Sequence, residues 1–417
     1  MPSNMEPSTK YHHTTMAIWK QEFETFSTDF IHTIQAFCRI HYRNDCEQDC
    51  HLGYIIHTKH KRTFIFGETL CRWLSLRYDD PCELQELRTL NGKIIKQVDY
   101  GLDFFVILTT DGCVYLASSD PYWETDRQLK WIDTGSNHIE QIACGHEHLL
   151  LLRSDQRLMA MGWNGLGQTT GTAEHSHRSL VYTGLENVKK IACGWAHSLA
   201  LTYTGRVYSW GLNESGRLGL NDEINRNTPN LIEFECDEQS YQIKDFVAGA
   251  AHTLFLMENG TVYGCGWNDN GELGSPDFDQ YELSPIRLPI ENVKAIATGW
   301  SYRFTIAFTN DHQCYVWGEL GQDTMGTIRL YHPTKIIPNL LSSSSSWSFS
   351  AISSLYFNPP LTFGWCQRYT MNKLKVKQPN FNNKYSQQRI ECDPEHDYVN
   401  MMVKRFSITS DHSLTFP

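Results

Sequence analysis

The sequence predicts an all-β chain, a seven-bladed β-propeller of about 50-residue repeats, its ring closed by strands from both ends of the chain. Three observations carry this. A hairpin unit with a glycine-rich exit recurs along the 417 residues. Its opening glycines stand at Gly101, Gly145, Gly194, Gly249 and Gly299, in steps of 44, 49, 55 and 50 residues. One exit precedes every opening, and a last blade drawing on both termini explains that offset, because closure removes the free edges of a linear array.

The clearest unit is Ile191 to Gly219. His197 to Thr202 (HSLALT) alternates large apolar residues as a first strand, Thr204-Gly205 is the two-residue turn, and Arg206 to Gly211 (RVYSWG) is the second strand. Asn213 to Gly219 leaves through two more glycines. A second copy has Cys144-Gly145, His148, Met161-Gly162-Trp163 and Gly167. A third has Gly249, His252, the Asn259-Gly260 turn, Gly266-Trp267-Asn268 and Gly271. A fourth has Gly299, Tyr302 in the histidine position, and Val316-Trp317-Gly318. A weaker one surrounds Gly101, the Asp111-Gly112 turn and Val114 to Leu116. Thr63 to Gly67 reads as a second strand with no convincing first, Ser346 to Gly364 as a decayed copy, and Lys404 to Phe416 as an opening that stops before its second strand. Ala17-Ile18-Trp19 reads as a worn exit, which would allow an eighth unit.

These residues resemble the regulator of chromosome condensation repeat family, whose pattern is Cys-Gly-x-x-His followed by Val-Tyr-x-Trp-Gly-x-Asn-x-x-Gly-x-Leu-Gly. The resemblance covers about residues 60 to 417 and is concentrated in 139 to 320. It implies the seven-bladed ring and leaves activity open, since members include exchange factors, light receptors and adaptors. Structural repeat positions on this reading are Gly101, Gly145, His148, Gly194, His197, Trp210, Gly211, Gly249, His252, Gly266, Gly299, Trp317 and Gly318. The light-receptor motif Gly-Trp-Arg-His-Thr is echoed only by Gly194-Trp195-Ala196-His197-Ser198 and Gly299-Trp300, without the arginine in the first. Photoreception is therefore set aside.

Residues 1–50 are expected to be an N-terminal extension, either a short helix or part of the closing blade. Residues 51–417 are expected to form the propeller, with a long insertion at about 367–400. Phe23, Phe26, Phe30, Ile34 and Phe37 recur at spacings of three and four, which predicts a short amphipathic helix within 16–40. Cys38, Cys46, Cys50, His51, His57 and His60 cluster in the sequence but form no Cys-x-x-Cys pair, so no zinc module is expected. Residues 221–242 read as an acidic, solvated loop. In the insertion, Lys373, Lys375 and Lys377 alternate before Phe381; this is the candidate partner-binding element, because long loops on a rigid scaffold carry function.

A net charge of −11 argues against a general phosphate-binding surface, so chromatin or nucleic acid is not expected as a direct contact. No signal peptide or transmembrane run is visible, and thirteen cysteines, two of them on a repeat position, suit a reduced cytoplasmic or nuclear chain. No catalytic constellation, cofactor site or metal site is expected. His146-Glu147-His148 has the look of a metal motif, but lies on a strand pattern and includes a repeat histidine. There is no phosphate-binding glycine loop and no Gly-x-Ser-x-Gly elbow. The expected function is a monomeric, non-catalytic interaction propeller with a protein partner. The resemblance supplies the alternative, a guanine-nucleotide exchange factor for a small GTPase.

Overall fold

The computed structural model describes residues 26–43, 50–76, 84–135, 138–171, 176–234, 242–274, 279–299, 303–311, 313–323 and 326–336. They form six four-stranded antiparallel sheets, each built from consecutive strands. The first holds β1 (Ile34–Arg43), β2 (Cys50–Thr58), β3 (Thr63–Phe66) and β4 (Gln85–Glu86). The second holds β5 (Ile95–Tyr100), β6 (Phe104–Thr109), β7 (Val114–Ser118) and β8 (Lys130–Ile132). The third holds β9 (Ile139–Cys144), β10 (His148–Arg153), β11 (Leu158–Trp163) and β12 (Ser176–Tyr182). The fourth holds β13 (Val188–Cys193), β14 (His197–Thr202), β15 (Val207–Gly211) and β16 (Arg226–Leu231). The fifth holds β17 (Ile243–Ala248), β18 (His252–Met257), β19 (Val262–Trp267) and β20 (Tyr281–Arg287). The sixth holds β21 (Val293–Ala297), β22 (Arg303–Thr309), β23 (Cys314–Asp323) and β24 (Gly326–Ile336).

The second strand of each repeat explains why the chain stacks its sheets. FFVILT, HSLALT and HTLFLM are buried along their whole length. Side chains alternate across a strand, so both faces of the sheet must be covered. Phe105 and Ile107 join β2 and β3 residues in one cluster, whereas Phe104, Val106 and Leu108 meet Ile142 and Leu149 of the third sheet. The same parity continues around the molecule. Ala200 packs toward the third sheet with Leu150, and Leu199 and Leu201 pack toward the fifth with Phe246 and Phe255. Five apolar wedges between successive sheets thus form the core, the arrangement of propeller blades.

Four features differ from the sequence reading. The opening segments are themselves strands: β9 and β13 end at Cys144 and Cys193 and pair with β10 and β14. The glycine-rich exits lead into a fourth, outer strand, so the acidic 221–242 segment contains β16 rather than forming one loop. Its sequence RNTPNL is half-exposed and includes Pro229, which an edge strand tolerates and an apolar periodicity search passes over. Thr63–Phe66 pairs with β2 and β4, so it has a first strand after all, and among the described residues the first sheet holds four strands within residues 34–86. Among the described residues the helical spacing of phenylalanines yields α1 (Thr28–Thr33); the chain then extends into β1, where Ile34, Cys38 and Ile40 are buried on the alternation of a strand. Phe26 and Phe30 pack edge-on against Phe66 and Phe64, covering the first sheet's outer apolar face. A second short helix, α2 (Glu68–Trp73), buries Leu70, Cys71 and Trp73 beside the second sheet. The copies at Ser346–Gly364 and Lys404–Phe416 and the insertion at 367–400 lie outside the described residues.

Candidate interaction faces

Strand alternation assigns every connection to one of two faces. Links from first to second strand (Gly101–Asp103, Gly145–Glu147, Gly194–Ala196, Gly249–Ala251) share a face with those from third to fourth strand (Asn164–Gly171, Leu212–Asn225, Asn268–Gly274). The hairpin turns at Thr110–Cys113, Ser154–Arg157, Tyr203–Arg206 and Glu258–Thr261 lie on the opposite face, with the links between blades.

The repeat residues build the rim of the first face. His148 Nε2 lies 3.0 Å from Ser198 Oγ, His197 Nε2 lies 3.1 Å from Thr253 Oγ1, and His252 Nε2 lies 3.3 Å from Thr305 Oγ1, each across to the following blade. Ser198 and Thr253 donate their own protons to the carbonyls of Gln168 and Arg217, so the imidazoles of His148 and His197 donate from Nε2 and their Nδ1 atoms are unprotonated. That direction is the reverse of nucleophile activation, in which the hydroxyl gives its proton to histidine. Burial, first of all, pushes the pKa of His148 and His252 down to about 3 and that of His197 well below its ordinary value. Neutral, fixed imidazoles of this kind tie blades together.

Gly145, Gly194 and Gly249 precede these histidines because a Cβ there would overlap the imidazole ring of the same repeat. At Gly145 and Gly194 it would also come within 2.7 and 2.6 Å of the next blade's glycine carbonyl. At Gly101 the overlapping ring is that of Phe104, which takes the histidine position of the second sheet. In the sixth sheet that position belongs to Phe304, which faces Gly318 as His252 faces Gly266, and not to Tyr302, which is outside the described residues; a longer link after Gly299 shifts the register. Exit glycines Gly162, Gly211, Gly266 and Gly318 take φ of 96–109°, and the N–H after three of them returns to the link carbonyls of Glu147, Ala196 and Ala251. Trp210 and Trp317 are fully buried in the wedges, their indole N–H groups donating to the carbonyls of Thr169 and Glu272.

Several positions went unread in the sequence. Asn164, Asn213 and Asn268 each accept backbone N–H groups from five residues downstream and thereby shape the third-to-fourth-strand link. Gln97 and Gln141 bridge to Ile142 and Ile191 of the next inner strand, and Lys190 pairs with Asp245 in the corresponding place. The repeated Gly-x-Asn spacing was the available signal for the first set; the second has no shared residue type.

No group of three or more His, Cys, Asp or Glu converges for a metal among the described residues. His146 lies toward Glu147 at 3.6 Å while His148 is buried in its blade, so the apparent motif splits. Cys38 is buried and His57 Nδ1 is 3.0 Å from Thr63 Oγ1; Cys46 is outside the described residues. The thiols of Cys144, Cys193 and Cys265 are buried and their pKa values raised by burial, so they are poor nucleophiles. Lys373, Lys375, Lys377 and Phe381 lie outside the described residues.

What the first face offers is surface. Trp195 is 36 % exposed with its ring 5.0 Å from that of His146, and Ile224 is 65 % exposed. Strands β23 and β24 stay paired out to Asp323 and Gly326, while their counterparts end at Trp163 and Ser176 or at Trp267 and Tyr281. The resulting hairpin runs five residues past Gly318, about 16 Å at strand spacing.

The described geometry is that of a repeat propeller whose buried ionisable groups bind its blades together. The chain belongs to the RCC1-like domain family, whose profile matches residues 57–354. It is 26 % identical to mouse serine/threonine-protein kinase Nek9 over 306 residues, 67 % of this chain and 31 % of that protein. It is 31 % identical to the Arabidopsis thaliana ultraviolet-B receptor UVR8 over 163 residues, 38 % and 32 % of the two chains. It therefore spans about a third of the length of these curated relatives. Among solved structures, Prp20p from Saccharomyces cerevisiae aligns with a TM-score of 0.59 at 19 % identity, over 75 % of this chain and 89 % of that one. Human WBSCR16 aligns at 0.58 and 20 % identity, over 68 % and 80 %. At these identities the two share the fold. No helix among the described residues is long and apolar enough to cross a membrane.

Proposed function

We propose that this chain is a non-catalytic protein-interaction propeller, a scaffold or regulatory adaptor working in the cytoplasm or nucleus. The observation that carries it is the contrast between interior and rim. The repeat histidines are neutral and locked to hydroxyls of the next blade, while Trp195 and Ile224 stand exposed on one face. Nek9 and UVR8, a kinase and a receptor that contain similar stretches, fit a regulatory role for such a propeller.

Exchange activity on a small GTPase is the second reading. The β23–β24 hairpin favours it, because the family resemblance associates exchange with one propeller face and a projecting wedge. Prp20p, of similar fold, is described by its binding to Gsp1p and histones. Exchange needs only that the propeller bind the nucleotide-free GTPase more tightly than the loaded one. The experiment is release of a fluorescent guanine nucleotide from a panel of small GTPases, with and without this protein. Acceleration of any one replaces the scaffold reading by the exchange reading. No acceleration, together with stoichiometric partner capture by the folded chain, supports the scaffold.

A further inference from the structure

Every described blade bends its first strand at the same place. The first strands of successive sheets lie side by side: Gln97 and Gln141 reach Ile142 and Ile191, Lys190 reaches Asp245, and Lys244 Nζ donates to Lys294 O at 2.8 Å. They therefore line the central channel of the propeller. In each of them the register with the second strand skips the second residue: Gln35, Lys96, Glu140, Lys189, Lys244 and Lys294. A bulge residue has no partner across the ladder, and its side chain is re-aimed out of the alternation that fills the wedges. Gln35, Glu140 and Lys189 are accordingly exposed, and Lys96, Lys244 and Lys294 keep part of their surface. Four of these residues are lysines and one is a glutamate. They sit at the end of the channel nearest the hairpin turns, where the first strands begin. In the second to sixth sheets the same strands end at Tyr100, Cys144, Cys193, Ala248 and Ala297, none of them charged. Two features show that the lysines crowd one another. Lys244 crosses to the backbone of Lys294, and burial, then the Lys244 charge, lowers the Lys294 pKa. Acids near this end are engaged. Asp245 is held by Lys190 and the Phe246 N–H, Asp111 by Lys93, Asp155 by Arg153 and Glu291 by Arg287.

We propose that this end of the channel is a binding site for a compact anion carrying several phosphate groups. Each lysine ammonium is a point charge with three donors, on a stem that turns toward its ligand. Lysines set around an axis are reached together by a compact polyanion, whereas an extended acidic peptide crosses only part of the ring. A bound anion also relieves the repulsion between Lys244 and Lys294. The chain's net charge of −11 does not cancel this attraction, because a concave site with low-dielectric walls focuses the field of its own charges. Glu140 is the ring position that opposes the ligand. The site lies at the opposite end of the propeller from Trp195 and Ile224, so it goes beyond the interaction-propeller reading and does not depend on it.

The test is isothermal titration calorimetry of the full chain with inositol hexakisphosphate, with tripolyphosphate and with inorganic phosphate, at physiological salt. The two polyphosphates bind saturably at one site, and inorganic phosphate binds at least about tenfold more weakly. The tighter of the two tells whether the phosphates come on a ring or a linear chain. Lys189→Gln with Lys244→Gln weakens binding about tenfold and flattens its salt dependence, while Lys59→Gln, in a hairpin turn, leaves it unchanged. Glu140→Lys tightens binding about threefold or more. That gain cannot come from damaged folding, and melting temperatures without ligand show whether the lysine variants fold. Absence of saturable binding, inorganic phosphate as tight as the polyphosphates, or ring variants no weaker than Lys59→Gln overturns the proposal. So does a polyglutamate peptide that binds more tightly than either polyphosphate. Partner capture that persists in the ring variants leaves the propeller reading standing whatever the titration gives.

Discussion

His197 Nε2 lies 3.1 Å from Thr253 Oγ1, and Thr253 in turn donates to the carbonyl of Arg217, so one imidazole joins the inner strands and the outer link of two blades. Phenylalanine fills the same position at Phe104 and Phe304. Packing volume is therefore the larger contribution of the histidine, and the hydrogen bond the smaller. Denaturant unfolding should show His197→Ala costing about 3–4 kcal/mol and His197→Phe about 1 kcal/mol. Equal losses would reverse that ranking.

Gly194→Ala should be severely destabilising, because the new Cβ would overlap the His197 ring and approach the Gly249 carbonyl. The double variant Gly194→Ala/His197→Ala should be more stable than the sum of its parts, by about 1 kcal/mol or more, since removing the ring relieves one of the two clashes. Additive losses in a double-mutant cycle would show that the glycine answers to the backbone alone.

Stability should depend on pH in two stages. His148, His197 and His252 stay neutral when folded and titrate near 6.5 when unfolded, so below about pH 6.5 the unfolded state takes up protons the folded state refuses, and stability falls with pH. Burial raises Asp99 and Glu272 to about 7, which has the opposite sign: the folded state takes up protons first, and stability rises as pH falls from about 7 to about 4. From these five groups the net uptake on unfolding is roughly one proton near pH 5 and roughly two near pH 4, where His148 and His252 themselves begin to take up protons, so the slope steepens between pH 5 and 4 and no further. Urea midpoints measured from pH 8 to 3.5 would detect this; a slope no steeper near pH 4 than near pH 5 would contradict it.

Lys190 pairs with Asp245, a carboxyl that is buried and raised in pKa first by that burial. Lys190→Met removes the cation and leaves the carboxyl in the wedge. The loss should be about 3–5 kcal/mol at pH 8 and shrink as the pH falls, because the raised Asp245 carboxyl takes up its proton sooner than an ordinary carboxylate. A loss that does not shrink in acid would place the contribution in the lysine's packing.

Removing residues 320–328 should leave the melting temperature within about 2 °C, because this tip lies beyond the stacked part of the sixth sheet. The nucleotide-release assay should lose its signal in the same variant if exchange is the activity.

Periodicity made the two central strands of each blade readable. HSLALT and RVYSWG are apolar on alternate positions or throughout, and the turn between them needs Gly205, whose φ is +81°. Cys144 and Cys193 could be read as small buried groups from their repeat slot alone. The outer strands could not, because β16 and β20 are half-exposed and contain Pro229 and Pro285. The histidine position of the sixth blade was misplaced for a related reason: counting three from Gly299 ignores a longer link, and pairing with Gly318 selects Phe304.

The chain alone therefore determined the repeat, the all-β class and the structural nature of its glycines and histidines, since each follows from local spacing and backbone geometry repeated many times. Only the tertiary structure decided which links share a face, that His146 and Trp195 meet, and that Glu214 stays exposed while Arg217 is buried. Those relations join residues on different strands and blades. They arise from strand alternation and blade stacking, which no linear spacing records.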